Sequence, residues 1–388
     1  MPSRSLRVLY DNSLALNPAG TGTVVRGMLA ALQQVEGVEV VVTRLPTRSA
    51  GTVDLSRKAP ARRMLNAFEH LRYFAVSLPA QARQAGCDVI YSPSSLGPLR
   101  GQVPSVITIH DLAPVRYPAT LHWVSRGYLQ AMLRTQLRRS AAVCTGSRAV
   151  RSEILNRYPR LRPDAIHIVP DAPDPELLAA TEVPVPDVDR PFFLMVGTIE
   201  PRKNHLTAIR AFAAYLRSNP QAQEQLVIAG SPGWLYQPVL DAIRTLNVSS
   251  RVVRLGRVDA GRLRWLYRHA RALLFPSLYE GFGIPVLEAF ALDCPVMAAH
   301  EASVEEVAGD GTIVLLDPID VDAWAHEMQL AASLPPDPQR LERARRRAGL
   351  FSWPSSAAAL CEALSAVVGA GSPSRVESVA ESSGPPPG

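Results

Sequence analysis

The sequence predicts an α/β protein built from two doubly wound domains that face one another across a cleft. Three observations carry this reading. A chain of 388 residues is too long for one compact core. Short apolar runs alternate with amphipathic helical patterns in both halves, the rhythm of strand, crossover helix and parallel strand. Between the halves the chain carries prolines at 170, 173, 175, 184, 186 and 191, a density that ends regular structure.

In the first half, RVLYDNS, VEVVVTRL, CDVIYSP, VPSVITIHDL, AAVCTGS and AIHIVP read as strands. They are apolar throughout, as strands buried on both faces are. TVVRGMLAALQQV and VSRGYLQAMLRTQLRRS read as crossover helices. After the proline-rich linker the pattern restarts with FFLMVGTIE, QLVIAG, RVVRLG, ALLFPS, PVMAAH and TIVLLDP, again alternating with helices. The boundaries expected are a first domain over 1–180 and a second over 181–350. A helix over 351–370 crosses back toward the first domain, and a small, polar, proline-rich tail over 371–388 is expected to be disordered.

Composition narrows the function classes. Apolar residues make up 47% and charged residues 20%, ordinary for a folded soluble protein. A net charge of +6 suits anionic ligands or headgroups but lacks the basic density that argues for nucleic acid. Cys87, Cys144, Cys294 and Cys361 are widely spaced, without a C-x-x-C pair or a histidine at ligand spacing, so neither a disulfide framework nor a zinc site is indicated. No signal-peptide pattern opens the chain and no run of about 18 apolar residues occurs. The expectation is a cytoplasmic protein, soluble or peripheral on the inner face of a membrane.

Ligands of doubly wound sheets bind at the carboxyl ends of strands, so the motifs there carry the chemistry. GTIEPRKNH sets Arg202 and Lys203 where a strand gives way to a helix, a place whose dipole repels cations unless an anion sits between them and the helix amides. SLYEGFGIPVLEAF carries Glu280 and Glu288 on either side of Gly281, Phe282, Gly283 and Ile284, whose amides can hold a phosphate or a sugar hydroxyl. Pro285 suits a helix first turn, and helix-start acids favoured by the dipole are the competing account of the two glutamates. NPAGTGTVVRG places Gly20 and Gly22 between the first strand and the first helix, without a complete G-x-G-x-x-G pattern because Val25 holds the last position. VITIHDLAP sets His110 and Asp111 at the end of another strand.

The motif EGFGIPVLE, preceded by GTIEPRKN about eighty residues upstream, resembles the E-x7-E signature of the retaining nucleotide-sugar glycosyltransferases of family four. These have the GT-B fold of two Rossmann-like domains, and the resemblance covers nearly the whole chain. It implies that Glu288 holds the ribose hydroxyls of a nucleoside diphosphate donor and that Glu280 lies near the transferred sugar. Arg202 and Lys203 would neutralise the departing diphosphate, a role with its own physical reason: the leaving oxygen gains charge as the sugar becomes oxocarbenium-like. Arg257 falls where such proteins place the nucleotide base. Gly20 and Gly22 resemble the glycine loop that approaches donor phosphate and acceptor. His110 matches a histidine near the reaction centre, with Asp111 orienting its ring or capping the next segment. Retention is usually pictured as front-face attack, with the leaving phosphate accepting the acceptor's proton, so no dedicated base is required. The aspartates of DVD at 187–189 and 320–322 read as linker and helix-cap residues, so no metal and no cofactor is expected.

The stretch 57–84 mixes Arg57, Lys58, Arg62, Arg63 and Arg72 with Met64, Leu65, Phe68, Leu71, Tyr73 and Phe74. It suits either a helix with its charges in water or peripheral contact with an anionic membrane carrying a lipid-linked acceptor. The expected function is transfer of a mannose-, glucose- or rhamnose-type hexose to a glycan or lipid-linked acceptor in polysaccharide or glycoconjugate synthesis. A nucleotide-sugar 2-epimerase would want acids and histidines placed for proton abstraction. A catalytically silent partner subunit would have no reason to keep Arg202, Lys203, Glu280 and Glu288 together.

Overall fold

Each of the twelve apolar runs forms a strand, and the strands divide into two parallel sheets of six. The computed structural model describes residues 5–17, 20–44, 69–118 and 123–370. Strands β1 (Leu6–Tyr10), β2 (Val38–Val42), β3 (Val89–Ser92), β4 (Ser105–Thr108), β5 (Ala142–Thr145) and β6 (Ile166–Ile168) pair in the order β2-β1-β3-β4-β5-β6. Strands β7 (Phe192–Val196), β8 (Gln225–Ala229), β9 (Val252–Gly256), β10 (Leu273–Phe275), β11 (Val296–Ala299) and β12 (Val314–Leu316) pair in the order β12-β11-β10-β7-β8-β9. Every residue of β3, β4, β5 and β8 is buried, because helices cover both faces. Strand order reverses direction at β1/β3 in the first sheet and at β7/β10 in the second, the two places where crossover loops splay apart and leave room for a ligand.

The last described helix, Trp353–Gly369, completes the first domain. Trp353, Ala357, Leu360 and Leu364 pack with Val24, Met28 and Leu32 of the helix Gly20–Leu32 against Val8, Tyr10, Val89 and Tyr91 of the sheet. Gly27 makes this docking possible, since a Cβ there would lie 2.3 Å from the Trp353 ring. The Trp353 indole N–H donates to the Pro173 carbonyl at 3.0 Å and Ser356 Oγ to that of Pro170 at 2.6 Å. The chain therefore crosses between domains twice.

The segment expected as a linker free of regular structure differs from that expectation. Asp174 caps a short helix, Pro175–Ala179, through the Glu176 amide, because proline is well placed in a helical first turn. Leu177, Val185 and Val188 then bury themselves in the second-domain core. Of the basic stretch 57–84, residues up to 68 lie outside the described residues, as does the tail 371–388. In the described remainder, Tyr73 and Phe74 pack on Leu9 and Ile90, while Leu71, Arg72 and Val76 face outward. Among the described residues no helix is long and apolar enough to cross a membrane.

Candidate active site

The loops after β7 and β10 lie side by side at the second sheet's switch point, and they bring Arg202, Lys203 and Glu280 together. Beyond β7 the chain makes a tight turn, Pro201–Lys203, and enters the helix His205–Ser218 through Asn204, which holds left-handed backbone at φ 51°. Asparagine tolerates that conformation. Its amide also donates to the carbonyls of Pro276 and Pro318 at 3.1 and 2.7 Å, which ties this turn to the loops after β10 and β12. The Leu278 amide adds a bond to the Arg202 carbonyl at 2.8 Å. The neighbouring His205 is buried and pushed down to about 3 by burial and by Lys203, so it adds no positive charge.

Lys203 Nζ lies 2.6 Å from Glu280 Oε1, and Arg202 Nη1 lies 3.0 Å from Oε2. Arg202 also reaches Glu200 with Nη2 at 2.8 Å and the Tyr279 carbonyl with Nη1 at 2.8 Å. Glu280 is only 6% exposed. Burial would raise its carboxyl, but Lys203 and Arg202 outweigh burial and hold it down to about 2. Glu200, also buried, is displaced upward by desolvation.

The helix Ile284–Ala291 starts at Gly283, whose φ of 104° belongs to glycine, and no side chain caps its first amides. Glu288 sits on its buried side, 7% exposed, accepting from the Tyr267 hydroxyl at 2.8 Å. Burial raises its carboxyl to about 7. The two glutamates of the motif are therefore electrostatically unlike, one fixed as an anion and one poised near neutrality.

The first domain contributes the opposite wall. His110 stands at the end of β4 with Nε2 3.1 Å from the Pro93 carbonyl; a carbonyl only accepts, so Nε2 carries the proton. Asp111 caps the next turn by accepting from the Ala113 amide at 2.9 Å. Gly281 gives its conformational room to the protein itself, because a Cβ there would lie 1.9 Å from the His110 carbonyl. Its own carbonyl accepts from Ser147 Oγ at 2.9 Å. Phe282 packs in the second-domain core and edge-on to Phe351 at 5.6 Å, so its side chain is structural. Glu306 accepts from the amides of Arg148 and Ala149, both at 2.9 Å, joining Ser147 as a cap of the first-domain helix Arg148–Arg157. Tyr279 accepts from the Leu112 amide and donates to Glu153, each at 2.8 Å.

Gly20 opens its helix with nothing in the way of a side chain, whereas a Cβ at Gly22 would strike the Asn17 carbonyl at 1.8 Å. Thr23, next along, donates to Asp174 at 3.3 Å, and the Asp174 charge acts on Glu288, so the glycine turn borders the Glu288 side of the cleft. Arg257 stands apart: it is exposed beyond the edge strand β9, separated from β10 by β7 and β8. Sequence reasoning passed over Glu200, Tyr267, Ser147, Glu153, Tyr279 and Glu306. Ser147 alone had a legible signal, a serine between a strand and a helical pattern; the others acquire meaning only through tertiary contact. Between the domains a cavity of about 210 Å³ is lined by Asp111, Pro114, Tyr117, Glu200, Arg202 and Trp234. Among the described residues no group of three or more histidine, cysteine, aspartate or glutamate side chains is placed to hold a metal.

Two family models divide the chain as the sheets do. The one described as Glycosyltransferase Family 4 matches residues 18–177, and that described as Glycosyl transferases group 1 matches residues 180–348. O-antigen chain mannosyltransferase B of Escherichia coli is 36% identical over 166 residues, 42% of each chain. Alpha-maltose-1-phosphate synthase of Mycolicibacterium smegmatis is 32% identical over 260 residues, 61% of this chain and 65% of that protein. These matches span less than two thirds of the relatives' lengths. Among solved structures, HepE of Anabaena in complex with UDP and glucose superposes with a TM-score of 0.65 at 17% identity, covering 93% of this chain and all of that one. That likeness speaks to the fold, two Rossmann-like domains in the GT-B arrangement. With both halves matched and the E-x7-E and R-K motifs converging on one cleft, the chain belongs to the family-four glycosyltransferases.

Proposed function

We propose that the protein is a retaining, metal-independent hexosyltransferase that moves a mannose-, glucose- or rhamnose-type sugar from a nucleoside diphosphate to a glycan or lipid-linked acceptor. The observation that carries this reading is the meeting of Arg202 and Lys203 on Glu280 at the mouth of the second sheet, with the His110 backbone carbonyl against the adjoining Gly281. A glycosyl phosphate bond breaks heterolytically: the electron pair leaves with the diphosphate oxygen while positive charge grows on the anomeric carbon and ring oxygen. Cations fixed before the reaction stabilise the leaving oxygen without reorganisation. Arg202 and Lys203 are so fixed, and Glu280, held ionised, keeps their charge from making the cleft repel the growing oxocarbenium.

The uncapped amides at the start of the helix Ile284–Ala291 suit a donor phosphate. Glu288, which accepts from the Tyr267 hydroxyl and the Asp174 backbone amide, keeps acceptor capacity on its two oxygens for a ribose hydroxyl. His110 has its Nε2 proton committed to Pro93, which suits a positioning contact to the transferred sugar through its other edge. For Arg257 a base contact remains a proposal from motif position, since its side chain lies at the sheet edge. The mannosyltransferase and maltose-phosphate synthase relatives, together with the UDP and glucose seen in the Anabaena protein, support a nucleotide-sugar donor.

The test is nucleotide release from a panel of UDP-, GDP- and dTDP-sugars, with and without a divalent-metal chelator, and with the anomeric configuration of the product read by NMR. Release that survives chelation and a product of donor configuration are expected. Inversion, or loss of turnover on chelation that metal restores, contradicts the reading.

A further inference from the structure

The interdomain cavity lies beside the cluster just described and contains side chains that leaving-group stabilisation does not use. One wall is the loop after β8. Ile199 and Pro232 bridge it to the turn that carries Glu200 and Arg202: the Ile199 amide donates to the Ser231 carbonyl and the Gly233 amide to that of Ile199, each at 3.0 Å. Gly233 is demanded by this approach, a Cβ there falling 2.6 Å from the Thr198 methyl. The next residues are held at some strain. Leu235 keeps left-handed backbone at φ 53°, a costly conformation for a bulky side chain, and remains exposed. The consequence of that turn is that Trp234 lines the cavity with 38% of its surface exposed, a large apolar face left open beside polar groups.

Across the gap stands Tyr117, its hydroxyl anchored on the Leu278 carbonyl at 3.1 Å and its ring 5.7 Å from that of Tyr279. The floor between them is polar: Asp111, Glu200 and Arg202. Two aromatic side chains with carboxylates between them match a pyranose, which has an apolar face of C–H groups and a rim of hydroxyls that donate to carboxylates. The volume of about 210 Å³ is below the ~300–1,000 Å³ of sites for drug-sized molecules and suits a single ring. Two carboxylates against one guanidinium, itself engaged by Glu200 and Glu280, disfavour a second phosphate.

We propose that this cavity is an acceptor subsite that holds one pyranose ring of the acceptor against Trp234 and Tyr117, with its hydroxyls on Asp111 and Glu200. The inference rests on the glycosyl-transfer reading and assigns the acceptor's recognised unit as a neutral sugar. Asp111 immediately follows His110 in the chain and Arg202 also binds Glu280, so a ring seated here adjoins the residues assigned to the transferred sugar.

The experiment uses the full chain labelled with 5-fluorotryptophan, the Trp234 resonance being identified among the five tryptophans by Trp234→Phe. Methyl α-glycosides of mannose, glucose and rhamnose are titrated to high millimolar concentration, with and without UDP or GDP. At least one glycoside is expected to shift the Trp234 resonance saturably, also with nucleotide present. Asp111→Asn, which keeps the cap on Ala113, is expected to weaken that binding about tenfold, the loss of a charge-assisted hydrogen bond. A Trp234 resonance that answers only to intact nucleotide sugars assigns the cavity to the donor and overturns the proposal, as does one that answers to no sugar. Glycoside binding without nucleotide release from any donor would instead sink the transfer reading while leaving a sugar pocket in place.

Discussion

Removal of the Lys203 ammonium separates its structural and chemical roles. The side chain sits 2.6 Å from Glu280 Oε1 and 5.1 Å from the centre of the Phe275 ring. Glu280 is held at about 2 against an ordinary 4.5, a net preference for the anion of about 3 kcal/mol at roughly 1.4 kcal/mol per unit. Lys203 and Arg202 supply it jointly against burial, so Lys203→Ala leaves one partner and is expected to destabilise the fold by about 2 kcal/mol, less than the ~3–5 kcal/mol for orphaning a buried charge. The sign with pH follows: a depressed carboxyl contributes stability above its unfolded value of 4.5 that is lost as pH falls toward 2, and in the variant, whose folded value lies closer to 4.5, this loss is smaller and is complete at a higher pH. Turnover is expected to fall about 100- to 1,000-fold, the effect of losing one preorganised charge donor. Denaturant titration gives the first number and nucleotide release the second. A folded Lys203→Ala protein with wild-type turnover would refute the leaving-group role.

Four further outcomes are expected. Glu288, raised to about 7, makes the folded state hold a proton that the unfolded chain releases near 4.5, so stability should decline as pH rises between those values and Glu288→Gln should remove that decline. Nucleotide affinity, measured by calorimetry, should rise through the same window in wild type and not in Glu288→Gln. Gly281→Ala should drive the domains apart, since its Cβ would enter the His110 carbonyl; a larger radius of gyration by X-ray scattering with both sheets intact is the expected reading. Ala at Glu306 should loosen the cap on the helix Arg148–Arg157 at a cost of about 1 kcal/mol, read by denaturant titration.

The sheets were legible because a strand buried on both faces must be apolar along its length, and runs such as QLVIAG and AAVCTGS admit no other period. The two motifs were legible because their residues violate local expectation: cations at a helix start and acids beside glycines. What could not be read is whatever depends on the two domains meeting. Nothing near Glu306 in sequence says that its carboxylate caps a helix some 150 residues earlier, and Tyr279 looks like a core aromatic until Leu112 and Glu153 arrive at its hydroxyl. In sequence Gly281 reads as an approach for a ligand, because sequence does not say which backbone comes close. The proline-rich segment was read as a tether because prolines exclude strands, yet a short helix and three buried side chains accept them.

The helix Trp353–Gly369 has a consequence for how the chain is born. It supplies one layer of the first domain's core although it is made after the whole second domain. On the ribosome, the first sheet must wait with Val24, Met28 and Leu32 uncovered while almost two hundred further residues emerge. A nascent chain released near residue 350 would own both halves of the cleft and still carry a bare apolar stripe, the kind of surface that chaperones hold and proteases find.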